Sequence, residues 1–318
     1  MKKKYLVGLI LVLAFSLLVC GCGSKEDSNN SSQPKKTTVT ITDDKDKSVE
    51  IACPVDKVVS ITSGGSEIIC ALGAEEKIIG RDSYSVFPDS IKKVPVMAES
   101  SYTPNLELII ESNPDVVVAD SMLQDDMREK LEAAGIPVLI YSTSEAEKLP
   151  SIIKDLGTIL GQKERAQEMI DFSDKYYQLI EERVGKLAEE DKPRVYYEWS
   201  KPYYSTSSKG PSHKRIVQAG GINIAADEPV QCPTLTPEWI AEKDPEVIVR
   251  MGGRDEDTVE QMKELRQEVM SRSGLNKTKA VQDDRVYVMK WGVALGTRSV
   301  VGSLYFAKWF LPELFTDI

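Results

Sequence analysis

Residues Glu107 to Ala119 (ELIIESNPDVVVA) and Glu238 to Arg250 (EWIAEKDPEVIVR) are two copies of one pattern. Each opens on Glu, carries Ile two positions on, a second Glu at the fifth position, Pro at the eighth, and then a β-branched run. A helix ended by an acidic Pro turn that leads directly into a short apolar strand is half of an α/β unit. Its return 131 residues later, in a chain of 318 residues, predicts two similar α/β lobes with a cleft between them.

The N-terminus precedes this folded part. Lys2, Lys3 and Lys4 lead into the chargeless run Tyr5 to Leu18, the pattern of a secretory signal and too short for a comfortable membrane span. Val19-Cys20-Gly21-Cys22 follows and resembles a bacterial lipobox. Cys22, preceded by the small Gly21, is the expected lipidation site; Cys20 follows the bulky Val19 and is the weaker candidate. Residues 1–22 are thus signal and lipobox, and the polar stretch 23–36 (GSKEDSNNSSQPKK) is a flexible tether. Removing residues 1–21 takes three lysines and no acids, so the net charge of −10 becomes −13. That balance argues against nucleic-acid binding, which needs a basic footprint. Beyond Cys22 only Cys53, Cys70 and Cys232 remain, without CxxC spacing, so neither a disulfide framework nor a zinc site is indicated.

A hairpin is expected from Thr38–Thr42 and Val49–Ala52, flanking Asp43 to Lys47. Strand Lys57–Thr62, a small-residue turn Ser63–Ser66 with a short helix, strand Lys77–Gly80, the first repeat helix and strand, helix Gln124–Ala134 and strand Pro137–Tyr141 then alternate through residue 161. The βαβα order predicts a mostly parallel sheet for an N-terminal lobe, 37–161. Across 162–190, Ala166, Met169, Ile170, Tyr176, Ile180, Val184 and Leu187 recur at intervals of mostly three or four, the mark of one long amphipathic linking helix of roughly 40 Å. The C-terminal lobe, 191–318, restarts at RVYYE and mirrors the first. Thr103-Pro104 and Thr236-Pro237 predict matching starts for the two repeat helices. The expected fold is therefore α/β, with two Rossmann-like lobes of mostly parallel strands joined by a long α-helix.

Several segments carry a family likeness: KVVSIT with SEIICALG, IIGRDSYSVFP, Asn105-Leu106-Glu107, NPDVVVA, LGTILGQKERA, AGGINIAAD, TPEWI with DPEVIV, and DDRVYVM. In their order and spacing, from Thr38 to near the end, they resemble the substrate-binding proteins of ABC importers, in the helix-linked class that carries ferric siderophores, haem and vitamin B12. The resemblance implies a partner, a two-fold ABC permease driven by a cytoplasmic ATPase. It also implies that Glu107 and Glu238, one on each lobe, meet arginines of that permease. Each glutamate also sits in the first turn of its helix, where the helix dipole favours a carboxylate.

Ligands of parallel α/β lobes sit beyond the carboxyl ends of the strands. The loops expected there are Ser63 to Ser66, Arg81 to Phe87, Ser121 to Leu123, Trp199 to Tyr204, Gly252 to Arg254 and Lys290 to Arg298. The candidate ligand-binding residues are Ser63, Gly64, Tyr84, Trp199, Tyr203, Tyr204, Arg254, Trp291 and Arg298, with Tyr102 from the loop before Pro104. Aromatics with a few arginines suit a large, partly apolar and partly anionic ligand such as a ferric chelate. His213 is the only histidine, which speaks against a bare-metal site and a histidine triad, and GxSxG, HExxH and GxxxxGK[ST] are absent. The expectation is a monomeric binding lipoprotein with no cofactor or catalytic residue of its own, touching the membrane only through its lipid. Its cargo is a ferric siderophore, with a corrinoid or haem as the alternative and a surface-anchored enzyme acting on a metal chelate as the rival.

Overall fold

The computed structural model describes residues 36–210, 212–253, 257–294 and 296–318. Cys22, most of the tether and Arg254 lie outside the described residues. A hairpin of β1 (Thr37–Thr42) and β2 (Ser48–Cys53) comes first, antiparallel, with Thr42 opposite Ser48. It is followed by β3 (Val58–Ser60), α1 (Ser63–Ala71), β4 (Ile78–Asp82), β5 (Val96–Ala98), α2 (Leu106–Ser112), β6 (Val116–Ala119), α3 (Asp125–Ala133), β7 (Val138–Ile140) and α4 (Leu149–Leu160). Five of these strands form one sheet in the order β5-β4-β3-β6-β7, parallel at every pairing. Helix α5 (Lys163–Val184) leads to β8 (Arg194–Glu198), α6 (His213–Gln218), β9 (Ile222–Asn223), α7 (Pro237–Lys243), β10 (Val247–Met251), α8 (Val259–Ser271), α9 (Lys279–Gln282), β11 (Val286–Met289), α10 (Trp291–Ala294) and α11 (Ser299–Phe310). The second sheet has the order β11-β10-β8-β9 and is likewise parallel, as the α/β reading expects.

Alternation along each central strand shows why these sheets are covered on both faces. Val116 and Val118 of β6 point into one core with Val58 and Leu139, while Val117 and Ala119 point into another with Val59, Val138 and Ile140. In the second lobe Val195, Tyr197, Val247 and Val249 share one core, and Tyr196 and Ile248 the other. Successive side chains of a strand face opposite sides, so an apolar run without polar alternation needs helices on both. Helix α5 belongs to both lobes: Ala166, Met169 and Ile170 pack into the N-terminal core, and Tyr176, Ile180 and Val184 into the C-terminal one.

Local chemistry corrects three expectations. The linking helix has 22 residues, about 33 Å at 1.5 Å per residue, because Gly185, a poor helix former, follows Val184 and a turn begins there. Ser63 to Ser66 is the first turn of α1 rather than a separate turn. The two repeat helices start differently: Thr236 caps α7 with Pro237 at its first position, but α2 is capped by Asn105, whose carboxamide accepts from Leu108 N at 3.1 Å. Their ends do match. Asn113 and Asp244 both close their helices in the left-handed region, φ 46° and 42°, just before Pro114 and Pro245.

A buried ion pair ties the hairpin to the sheet. Asp43 Oδ2 lies 2.8 Å from Arg128 Nη2, with side chains 0% and 5% exposed. The same carboxylate accepts from the backbone N–H of Lys45, Lys47 and Ile140. Removing one partner of such a pair strands the other charge in the interior. Arg128 keeps Glu132 Oε1 at 2.9 Å from its Nε, so Asp43→Ala should cost less than the about 3–5 kcal/mol of a fully stranded charge, read as a lowered urea midpoint; an unchanged midpoint would mean that Glu132 alone compensates Arg128.

Candidate functional site

Four loops at the carboxyl ends of β3, β4, β6 and β7 face loops after β10 and β11 across a cavity of about 840 Å³. Such a volume lies within the range of small-molecule sites, roughly 300–1,000 Å³. Its N-terminal wall comprises Thr62 to Gly64, Glu67, Ser83 to Phe87, Asp120 to Met122 and Ser142 to Glu145; the opposite wall includes Gly253, Trp291, Gly292, Gly296 and Arg298. The cavity spans the first sheet where strand order reverses, between β3 and β6.

A chain of buried hydroxyls runs back from Ser85 behind the N-terminal wall. Ser85 Oγ donates to Asp82 and lies 2.9 Å from Ser66 Oγ, which is 2.9 Å from Ser60 Oγ. Burial pushes the Asp82 carboxyl above its usual range, the two hydrogen bonds from Ser85 oppose that rise, and the charge of Asp120 adds to it. Asp120 itself accepts from Met122 N at 2.9 Å. Gly64 fits because a Cβ there would fall about 2.0 Å from Thr143 Oγ1, so only glycine lets α1 approach the β7–α4 loop this closely.

Five of the expected ligand residues meet here: Ser63, Gly64, Tyr84, Trp291 and Arg298. Tyr84 is exposed at the rim, and Trp291 is half-buried. Arg298 is ion-paired within the cavity wall. Its Nε and Nη2 donate to Glu67 Oε1 and Oε2 at 3.1 and 2.9 Å, and the hydroxyl of Thr297 also donates to Oε1. The guanidinium lies 4.0 Å from the centroid of the Phe87 ring. It joins the two lobes across the cleft.

Four aromatic candidates fall elsewhere. Trp199 is not in the cavity wall but backs it, its ring centroid 5.7 Å from that of Trp291. Tyr203 packs into the C-terminal core under the Arg272 guanidinium, 5.4 Å away, and its N–H donates to Glu198 Oε2 at 2.7 Å. Tyr204 is held by a bridge to Thr234, with Lys201 Nζ 4.8 Å from its ring centroid. Tyr102 stays exposed on a tight turn in which Thr103 N donates to Ser100 O, outside the cavity wall. A buried charge network explains the fate of the Trp199–Tyr204 loop. Glu198, fully buried, takes Arg272 at 2.7 Å and the Tyr196 hydroxyl at 2.9 Å, while Arg250 donates to the carbonyls of Trp199 and Ser200. Arg250 Nε lies 3.0 Å from Glu198 Oε1 without hydrogen-bond alignment, a coulombic contact only.

Glu67 and the Ser142–Glu145 loop were not anticipated from the sequence. Glu67 is the only charged residue of α1, a lone carboxylate on an otherwise uncharged helix, and that was the available signal. The loop after β7 satisfies the same strand-end rule as the others. Glu107 and Glu238 are both exposed in the first turns of their helices, and neither side chain has a hydrogen-bond or ionic partner among the described residues. His213 pairs with Asn223 Nδ2 at 3.3 Å and is absent from the cavity wall. Among the described residues no group of three or more His, Cys, Asp or Glu could hold a metal ion, and no helix is long and apolar enough to cross a membrane. A further cavity of about 760 Å³ runs along α5, lined mainly by helix side chains such as Ile153, Met169, Phe172 and Tyr177.

Known proteins share this architecture. The sequence profile described as periplasmic binding protein matches residues 58–291, from the first residue of β3 to the first of α10. The uncharacterized ABC transporter substrate-binding lipoprotein YvrC of Bacillus subtilis is 26% identical over 327 aligned residues that cover all of both chains. A vitamin B12-binding protein of Salmonella choleraesuis is 27% identical over 199 residues, 62% of this chain and 72% of that protein. Among solved structures, the TroA-like periplasmic binding protein FepB from Veillonella parvula superposes with a TM-score of 0.75 at 26% identity, covering 88% of this chain and 92% of that one. With the profile spanning both parallel sheets and the N-terminal wall of the cleft, this chain belongs to the periplasmic binding protein family.

Proposed function

We propose that this protein is the substrate-binding lipoprotein of an ABC importer, which captures a ferric siderophore or similar metal chelate outside the cell membrane and delivers it to a permease. The observation that carries this reading is the cavity of about 840 Å³ between two parallel sheets, lined by hydroxyls, aromatics and a paired arginine. YvrC, described as an ABC transporter substrate-binding lipoprotein, supports the transporter role and the anchoring through Cys22. A corrinoid is the second reading, favoured by the relatives described as vitamin B12-binding.

Glu107 and Glu238 suit docking because two exposed carboxylates at equivalent places on duplicated lobes can match basic pockets on a two-fold partner. The full chain, purified in mild detergent, should quench its tryptophan fluorescence when titrated with ferric chelates or cobalamin, since Trp291 lies in the cavity wall against Trp199. Silence toward every chelate would refute the transport reading. Trp291→Ala should weaken the bound chelate by about 1–3 kcal/mol, the scale of a lost aromatic anchor, in the same titration. The double variant Glu107→Ala, Glu238→Ala should bind chelate like the parent but lower uptake by cells that depend on this transporter; undiminished uptake would remove the docking role.

A further inference from the structure

The charge around the cleft selects among the chelates that the proposed function allows, and the following rests on that function. Among the described residues of the cavity wall the carboxylates are Glu67, Asp120 and Glu145, and the one cation is Arg298. Both nitrogens of Arg298 that face Glu67 are engaged by its two oxygens, in a geometry that occupies one edge of the guanidinium fork. An anionic ligand that drew Arg298 away would leave Glu67, 12% exposed, as an uncompensated carboxylate beside a second negative charge. Asp120 has no cationic partner among the described residues, and neither has Asp82 behind it. Glu145 is partly balanced by Lys148 at 3.2 Å. The feature of opposite sign is the N-terminus of α1, whose roughly half a positive charge is smaller than any one of these carboxylates. The remaining polar groups are hydroxyls of residues such as Ser63, Ser121, Ser142 and Thr143, which donate to and accept from neutral amide and carbonyl groups.

We propose that the cleft takes a metal chelate of zero or positive net charge with an amide-rich or hydroxamate-type periphery, and discriminates against polyanionic chelates. Carboxylates inside a partly enclosed cleft act at short range on a bound anion, and the net charge of the chain repels it on approach. Glu67 and Asp120 are the residues that set this preference.

The test uses the full chain in mild detergent, with tryptophan quenching as the readout. The probes are a ferric trihydroxamate bearing a free ammonium group, a neutral ferric trihydroxamate, a triply negative ferric tricatecholate, cyanocobalamin, and haem with its two propionates. At least one of the cationic trihydroxamate, the neutral trihydroxamate and cyanocobalamin should bind about tenfold or more tighter than the tricatecholate and haem, and the gap should narrow with added salt. Which of them binds distinguishes a hydroxamate source from a corrinoid source. Glu67→Gln, by releasing Arg298, and Asp120→Asn, by removing a carboxylate, should each shift the cationic-to-anionic affinity ratio toward the anion by about tenfold. A merely structural role for either residue would weaken all probes alike and leave that ratio fixed. Equal or tighter binding of the tricatecholate or haem, or an unmoved ratio in Asp120→Asn with its thermal unfolding unchanged, overturns the charge proposal while the transport reading stands. No binding by any probe overturns both.

Discussion

A parallel sheet cannot leave a face to water, and the rest of the molecule follows from that constraint. Val116 to Ala119 and Val247 to Met251 are fully buried runs, so helices must cover both sides of each sheet. Every connection then crosses from the carboxyl end of one strand to the amino end of the next, and only the strand-end loops remain free to vary. Two lobes built in this way, joined by α5, turn those loops toward each other. The cleft is what remains once the hydrophobic requirement of both lobes is met.

Within that frame, buried charge decides which loop residues reach the cleft. Glu198 sits where the chain leaves β8, and its contacts with Arg272, Tyr196 and the Tyr203 N–H fold the following loop back onto the second lobe. Trp199 is thereby fixed as a support for Trp291 and Tyr203 becomes core. In the first lobe Asp43 and Arg128 perform the comparable task for the hairpin. Such networks are sensitive to the loss of one member, because the survivors stay buried.

The fold was legible in the sequence because its signals are local. Alternation of β-branched residues, Pro after each repeat helix and the three-to-four spacing in α5 act within a few residues, and the strands follow them closely. Strand β5 follows Pro95 directly and lacks the longer apolar run that marks β3 and β7, while β9 has only two residues, so neither carries a readable pattern. The site was legible only as a set of loops. Aromatic character alone could not tell Trp291, which lines the cavity, from Tyr203, which a buried carboxylate draws into the core. Nor could it show that Arg298 is engaged, since Glu67 lies 231 residues away and no local rule links them.

The shared helix has one more consequence. Because the first half of α5 is packed into one core and the second half into the other, swinging the lobes apart would have to bend a continuous hydrogen-bonded rod of 22 residues. The helix therefore resists a change in the separation of Glu107 on one lobe from Glu238 on the other. On the docking role proposed for these two glutamates, a permease that meets both would find nearly the same spacing whether the protein arrives full or empty. Loaded and unloaded carriers would then compete for the same docking place, and what tells them apart must be the cargo itself and the loops that touch it.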